Sequence, residues 1–505
     1  MRVLVLMHNK NVVMKKNSYS KLGLALAMAS VFVTGCKDDK PFNPEWPEEW
    51  TLENYSVTPS LVKTLPGFGN VKIKTMISSD DQLENSPNFV YGAQPDGAGI
   101  IPDPSGNGFL MITNHEILQS VSRVKLDKNL KPVSGEYIVD AAGGMWRLCS
   151  ATLATPQEHG FGPTFLTAGE SGIESMIHAI DPMGSVGDRS RTDRTLPALG
   201  KCSAENAVPL PKAAYNNKTI IFIGEDESNP ANSMGQVNMY VSNATGDLQN
   251  GKLYMLRRKD LNVTETDMEV GKSYDIEFVE YSNVKSSTGA QLATQTIDKK
   301  AIQFARVEDL DYGKGSPAAN RTLYFTSTGV SPDKVNPAPG LTMWGRVYKL
   351  EMNANDPLKG KITPLIDGNE DPGNSIVNPD NICVTENYVY IQEDGDSFYQ
   401  DNKHDGRIWQ LNIKNNQLKP MLEMNHRRDD ATFNAKYNPS GSTRLSSWEY
   451  GAMLDISDLT GKPGTFIVNI HPHTWRDEKF RNADGSGLSS NIEGGQTVIL
   501  TNVPR

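Results

Sequence analysis

Thr219-Ile220-Ile221-Phe222-Ile223 runs straight into Gly224-Glu225-Asp226, and after a polar loop the chain resumes as Gly235-Gln236-Val237-Asn238-Met239-Tyr240. Five β-branched or aromatic residues in a row favour a short strand buried on both faces. The glycine that opens the second run marks the chain turning back beside the first. The same order of strand, polar cluster and loop recurs along the chain. Phe109-Leu110-Met111-Ile112 leads to Asn114-His115-Glu116, and Thr164-Phe165-Leu166-Thr167 leads to Gly169-Glu170. Thr322-Leu323-Tyr324-Phe325 leads to Thr326-Ser327, Tyr388-Val389-Tyr390-Ile391 to Glu393-Asp394-Gly395, and Thr465-Phe466-Ile467-Val468 to Asn469-Ile470-His471. Gly-led second runs follow again at Gly345–Leu350 and Gly406–Leu411. The spacing is irregular, roughly 55 to 105 residues, so this is no tight tandem repeat. Six such units, with no helix-period pattern longer than about two turns, predict an all-β chain folded as a six-bladed β-propeller with long loops.

Composition narrows the function. Of 505 residues, 37% are hydrophobic, enough for a large core and too many for wholesale disorder. A net charge of −10 argues against broad electrostatic capture of nucleic acid. Outside the N-terminus no run approaches the about 18 apolar residues that span a bilayer. At the N-terminus, Lys15-Lys16 and Lys21 precede the apolar run from Leu22 to Phe32, which has signal-peptide proportions. It ends in Val33-Thr34-Gly35-Cys36, which resembles a bacterial lipobox with Cys36 as the lipidated residue. Met14 serves equally well as the start. The predicted division is a signal peptide at 1–35, a lipidated Cys and Pro/Trp/Glu-rich tether at 36–60, and one propeller domain at 61–505. Residues 1–35 carry five basic groups and no acid, so the mature chain stands at −15. The expected protein is a monomeric lipoprotein of the bacterial cell envelope, held to the membrane by its lipid anchor alone. Lys37-Asp38-Asp39 resembles the export signal of surface lipoproteins. Three cysteines remain, Cys149, Cys202 and Cys383, so at least one thiol is unpaired.

If the six first strands are equivalent, the clusters at their ends meet at one mouth of the central channel. Glu116, Glu170, Glu225, Asp226, Glu393 and Asp394 would face one another there. Packed carboxylates repel unless a cation joins them, and hard oxygen ligands in this number suit Ca²⁺. The alternative is a set of solvated turns at strand ends. A serine-hydrolase elbow is absent from the sequence. Gly271-Lys272-Ser273 lacks the upstream glycine of a phosphate loop, and His115-Glu116 lacks the second His of a zincin. Asp401–Gly406 is only faintly similar to a calcium loop, with Lys403 at a would-be ligand position and no closing Glu, and His471-Pro472-His473 offers two imidazoles without an evident third ligand.

Separated segments add a resemblance. They are Thr113-Asn114-His115-Glu116, Cys149-Ser150 with Thr164 to Glu170, Leu199 to Asn206, and Phe304-Ala305-Arg306-Val307-Glu308-Asp309. Asn378-Pro379-Asp380-Asn381 and Glu393-Asp394-Gly395 follow in the same order. Together they resemble the PhoX-type alkaline phosphatases over about residues 85–500. That resemblance implies a six-bladed propeller with ferric iron and calcium at the channel mouth. It implies Cys149 as the thiolate ligand of iron, and Glu170, Glu205 and Glu308 as carboxylates bridging iron and calcium. Asp380 falls among the further ligands, and Arg306 would contact the phosphate of a small-molecule ester. Flanking positions depart from the family: Gly169 replaces the first of a Glu pair, Ala204 a His and Val307 a Pro. The substrate class therefore extends to phosphodiesters or phytate-like compounds. A competing reading of another class is a surface-tethered propeller, reduced in catalysis, that binds a glycan or a protein.

Overall fold

The computed structural model describes residues 50–189, 193–331, 340–395, 402–439 and 444–505. The predicted signal peptide, Cys36 and residues 37–49 of the predicted tether lie outside them. From residue 50 onward the tether stretch packs on the body: the Trp50 indole donates to the Lys128 carbonyl at 3.2 Å, and Trp50, Leu52 and Tyr55 cover a hydrophobic cluster.

The chain is all-β and propeller-like. Its strands form five hydrogen-bonded antiparallel sheets rather than the six separate blades expected. One sheet has nine strands because Tyr274–Glu280, an extra strand, pairs with Lys359–Asp367 and welds two successive meanders edge to edge. The long interval between Thr219 and Thr322 holds that extra strand and the helix Gly289–Asp298. Ten residues long, the helix exceeds the two turns expected; Thr288 and Gln291 form a capping box at its start.

The strand runs recognised in the sequence are the second strands of their units, not the first. Each is preceded by an inner strand, and inner and second strands are labelled here in chain order. They are β1 Pro95–Pro102 and β2 Phe109–His115, β3 Leu148–Ala154 and β4 Thr164–Gly169, β5 Ala204–Pro209 and β6 Thr219–Glu225. There follow β7 Val307–Tyr312 and β8 Thr322–Ser327, β9 Pro379–Val384 and β10 Tyr388–Glu393, β11 Glu449–Asp455 and β12 Phe466–His471. The inner strands neighbour one another in a closed circle: β1 beside β3, then β5, β7, β9 and β11, which returns to β1. Closure is made by distant sequence. Lys72–Ser78 pairs with Gln496–Thr501 in the last sheet, and Val62–Thr64 pairs with Leu418–Met424 in the sheet before it.

Between sheets the core is aromatic. Phe304, Phe325 and Tyr348 cluster with centroids 4.8–5.4 Å apart, a spacing that adds quadrupole attraction to buried area. Glu265, fully buried beneath them, accepts from the Tyr348 hydroxyl at 2.9 Å and from the Ala305 amide at 3.1 Å. That contact pins the chain immediately before Arg306. Among the described residues no helix is long and apolar enough to cross a membrane, and Cys149, Cys202 and Cys383 are all free and buried.

Candidate metal centre

One irregularity repeats in every unit and builds the site. The inner and second strands pair at one residue, then slip, so that two inner-strand residues oppose one. In the first unit Pro95 faces His115 and Ala98 faces Thr113; in the second Leu148 faces Gly169 and Ala151 faces Thr167. The slip recurs between Ala204 and Ala207, Val307 and Leu310, Pro379 and Ile382, and Tyr450 and Met453. A bulge of this kind re-aims a side chain. The first bulged residues are Asp96, Cys149, Glu205, Glu308, Asp380 and Gly451. Five of the six carry a metal-ligating group, and all five are buried.

Cross-unit hydrogen bonds hold the bulges. Asn114 donates to the Cys149 carbonyl at 2.6 Å, Thr326 to that of Asp380 at 2.5 Å, and Asn469 to that of Asp96 at 2.7 Å. Between the third and fourth units the equivalent position is Gly224, where a Cβ would lie 2.3 Å from the Glu308 carbonyl. In the sixth unit a Cβ on Gly451 would meet the Pro95 carbonyl at 2.6 Å, so that bulge has no room for a ligand side chain.

Two further positions circle the same mouth. On the second strands, the residues that follow the pair flanking the bulge are Glu116, Glu170, Asp226, Thr328, Asp394 and His471. Those that precede that pair on the inner strands are Gln94, Arg147, Ser203, Arg306, Asn378 and Glu449, the last of them paired with His471 in turn. Arg306 there adopts a left-handed φ of 65°, costly for a residue with a Cβ and a frequent mark of functional positions.

These positions line a cavity of about 540 Å³ that holds Glu116, Cys149, Glu170, Glu205, Asp226, Arg306, Glu308, Asp380 and Asp394. Glu225 and Glu393 are not among its lining. Adjacent residues of an extended chain point to opposite sides, so of Glu225-Asp226 and Glu393-Asp394 only the second of each reaches the channel. Glu225 is buried beside Cys202, Asn238 and Tyr281. Glu393 accepts the Val377 and Arg407 amides at 2.8 Å and the Trp409 indole at 2.7 Å, a structural anchor. Asp96, Arg147, Glu449 and Glu493 line the cavity without being among the site residues read from the sequence, and so does His473, which the sequence offers only as one of two imidazoles. A signal existed for Arg147: it stands two residues before Cys149, as Arg306 stands two before Glu308.

Ligand atoms approach one another in four groups. Asp96, Cys149 and Glu205, then Glu116, Cys149 and Glu170, then Glu205, Glu308 and Asp380 each offer atoms within 4.8 Å of one another; Glu449, His471 and His473 form the fourth. The Cys149 thiol lies 2.9 Å from Glu170 Oε2, and Arg147 reaches Glu116 at 3.0 Å. Arg306 grips Asp226 through Nε at 2.7 Å and Nη2 at 3.1 Å, and its Nη2 lies 2.9 Å from Glu308. Burial, reinforced by neighbouring carboxylates, pushes the carboxyls of Asp96, Glu170, Glu205, Glu308 and Asp380 well above their usual range. Burial and then Glu170 and Glu205 push the Cys149 thiol up as well. Against burial, Arg306 draws Asp226 down. Opposing burial, Glu449 raises His471 to about 9, while His471 and His473 draw Glu449 down. The Asp380 Oδ1 oxygen is buried with no hydrogen-bond partner. Clustered acids with an orphaned oxygen fit hard cations, and one thiol among them fits a softer transition metal.

No protein-family model matches the chain, and no curated protein matches it. Solved structures do. Pseudomonas fluorescens PhoX, in complex with vanadate as a transition state analogue, is similar with a TM-score of 0.58 and 13% identity, over 89% of this chain and 98% of that one. An α-L-arabinofuranosidase of Fusarium graminearum in complex with an iminosugar inhibitor aligns with a TM-score of 0.39 and 13% identity, over 85% and 98%. The PQQ-bound aldose sugar dehydrogenase of Streptomyces coelicolor aligns at 0.33 and 11%, over 85% and 98%. At such identities the likeness speaks to architecture, and the architecture of this chain is a PhoX-like β-propeller.

Proposed function

We propose that this chain is a metal-dependent phosphoric ester hydrolase of the bacterial cell envelope. In this reading the nine-stranded sheet counts as two blades of a six-bladed propeller, and the channel mouth holds ferric iron and calcium. The observation that carries it is the repeated bulge, which gathers Asp96, Cys149, Glu205, Glu308 and Asp380 beside two arginines at equivalent entry positions. A phosphate monoester is a dianion, and a mature chain of −15 can take it only where the local field is reversed. Cys149 with Asp96, Glu116, Glu170 and Glu205 would hold the iron; Glu205, Glu308 and Asp380 would hold calcium. When bound, such cations supply positive charge and Lewis acidity to a phosphoryl group. Arg306 is preset for the phosphate: Asp226 and Glu308 take its Nε and Nη2, which fixes the guanidinium plane and leaves Nη1 outside these pairs. Arg147 stands across the mouth as a second, more exposed guanidinium. The other propeller reading, a glycan- or protein-binding module, leaves the buried thiol and the orphaned Asp380 oxygen without a purpose.

A panel of phosphate mono- and diesters, assayed with and without chelator and with vanadate as inhibitor, tests the reading. Activity should fall with chelator and with vanadate. Arg306→Lys should retain the metals but lower kcat/KM by about tenfold or more, because an ammonium cannot reproduce the planar fork. A metal-loaded protein inactive on every ester would overturn the proposal. The envelope location is tested separately: Cys36→Ser should shift the protein from the membrane fraction to the soluble one, and unchanged membrane retention with normal cleavage would refute the anchor.

A further inference from the structure

The sixth unit breaks the pattern of the other five in donor chemistry. Its bulge position is Gly451, and the residue that follows the pair flanking the bulge is His471, where four other units place a carboxylate. We propose that this unit holds a separate site for a borderline divalent cation such as Zn²⁺, made by Glu449, His471 Nδ1 and His473 Nε2. The ligand atoms of the three residues lie within 4.8 Å of one another.

The ring orientations are what a metal requires. His471 is fully buried, and its Nε2 lies 2.8 Å from the Pro95 carbonyl, which can only accept. A proton therefore sits on Nε2, which leaves Nδ1 as the atom turned to Glu449, able to offer a lone pair to a cation or to carry a second proton when no cation is there. That Nδ1 has no hydrogen-bond partner and faces the Glu449 Oε1 oxygen at 3.2 Å. With the ring neutral, two lone pairs would confront each other there, a contact that a shared cation converts into two bonds. His473 is arranged alike: Nε2 lies 3.0 Å from Glu449 Oε2, and Nδ1 lies 3.2 Å from Glu493 Oε2. Glu493 is itself held by Gln94 at 2.9 Å and Arg476 at 2.6 Å. A carbonyl behind one imidazole and an anchored carboxylate behind the other form the outer layer that orients metal-binding histidines. Two histidines and one glutamate are the donor count of a zinc site that keeps a position open, and His473 and Glu449 border the cavity. The nitrogen donors separate this site from the oxygen- and thiolate-lined groups across the mouth. It stands whether or not the chain hydrolyses phosphate esters.

The rival arrangement has no ion and both rings carrying a second proton against the carboxylates. Titrating Zn²⁺ into chelator-stripped protein against a chromophoric competitor separates the two. Wild type should bind one more equivalent than His473→Gln, a variant at a partly exposed position that leaves the fold in place, and Glu493→Gln should weaken that equivalent about 10–100-fold. In wild type with Zn²⁺, imidazole ¹⁵N shifts should show one metal-bound nitrogen on each of the two rings. The same number of equivalents at the same affinity in His473→Gln would overturn the site, as would two protonated nitrogens on both rings in the presence of Zn²⁺.

Discussion

Each inner strand runs from one mouth of the channel to the other, so the two mouths share a scaffold and differ only in what it carries. At the far mouth, around a second cavity of about 650 Å³, the acids meet cations or hydrogen-bond donors, Asp309 being held by Asn206 and by the Leu310 and Ile382 amides. Lys314 meets Asp311 at 2.9 Å, Arg505 meets Asp455 at 2.6 Å and Asp458 at 2.9 Å, and the Tyr312 hydroxyl donates to Glu158. At the near mouth ten carboxylates face four guanidiniums, and among the described residues Asp96, Glu205 and Asp380 form no salt bridge. Matched charges hold a fold together with no outside help. An acidic excess at the same depth calls for cations or protons, and the bulges between inner and second strands lie at that mouth.

Stripping cations should therefore give the largest change. An ion that binds only the folded chain contributes about 4 kcal/mol when present at a thousand times its dissociation constant. Chelator should lower the melting temperature by several degrees, Ca²⁺ should restore it, and any visible thiolate-to-iron band should vanish with the metal and be absent from Cys149→Ala. A melting curve indifferent to chelator and calcium would erase the distinction between the mouths.

The sequence displayed one half of this architecture more readily than the other. Second strands such as Thr219–Ile223 are unbroken β-branched and aromatic runs. Inner strands open with Pro95-Asp96-Gly97 or Pro379-Asp380-Asn381, residues that strands otherwise avoid and that read as turns. The bulge that makes them good ligand carriers thus removes the pattern by which they would be recognised. Asp96 is hidden for that reason, whereas Cys149, Glu205 and Glu308 are reached through the resemblance and not through periodicity. The second-strand acids converged as expected, because antiparallel pairing returns the end of each second strand to the start of its inner strand. Glu225 and Glu393 failed to join them on parity alone. The welding of two meanders and the closure by residues 62–78 depend on pairings across long stretches of chain, which no local pattern encodes.

An intermediate effect belongs to the far mouth and to pH. His159 is buried, and its Nδ1 accepts the Thr155 amide at 3.0 Å, so protonation would set one N–H against another. Burial, opposed by Glu158 and aided by Lys314, holds the ring down to about 4, against 6.5 when unperturbed. The unfolded chain takes this proton first as pH falls. Stability is whole above pH 6.5 and is lost through the interval down to pH 4, by about 3 kcal/mol from this ring. Urea unfolding of chelated protein at pH 7 and pH 4.5 should show a shallower loss in His159→Gln, whose amide can accept without titrating. An identical slope in the variant would show that the far mouth is as insensitive to protons as its matched ion pairs suggest.

The smallest effect is the most discriminating because its sign is unusual. Removing a buried charge normally destabilises when the charge has a partner and stabilises when it has none. Glu205 accepts only the Ser150 amide at 3.0 Å, a bond that Gln preserves, and the Asp380 Oδ1 oxygen accepts nothing. Glu205→Gln and Asp380→Asn should therefore stabilise the chelated protein, by about 2 kcal/mol at pH 8. The gain should shrink toward pH 5, because burial and the neighbouring Glu308 raise both carboxyls and the wild type then carries the proton itself. With Ca²⁺ present the order should invert, since each variant has lost a ligand oxygen. Asp455→Asn at the far mouth serves as the contrast: it strips Arg505 of its 2.6 Å partner and should destabilise by about 1 kcal/mol with or without calcium. If Asp380→Asn instead destabilises the chelated protein as Asp455→Asn does, its carboxylate was already satisfied. The near mouth would then be a ring of structural acids and not a seat for cations.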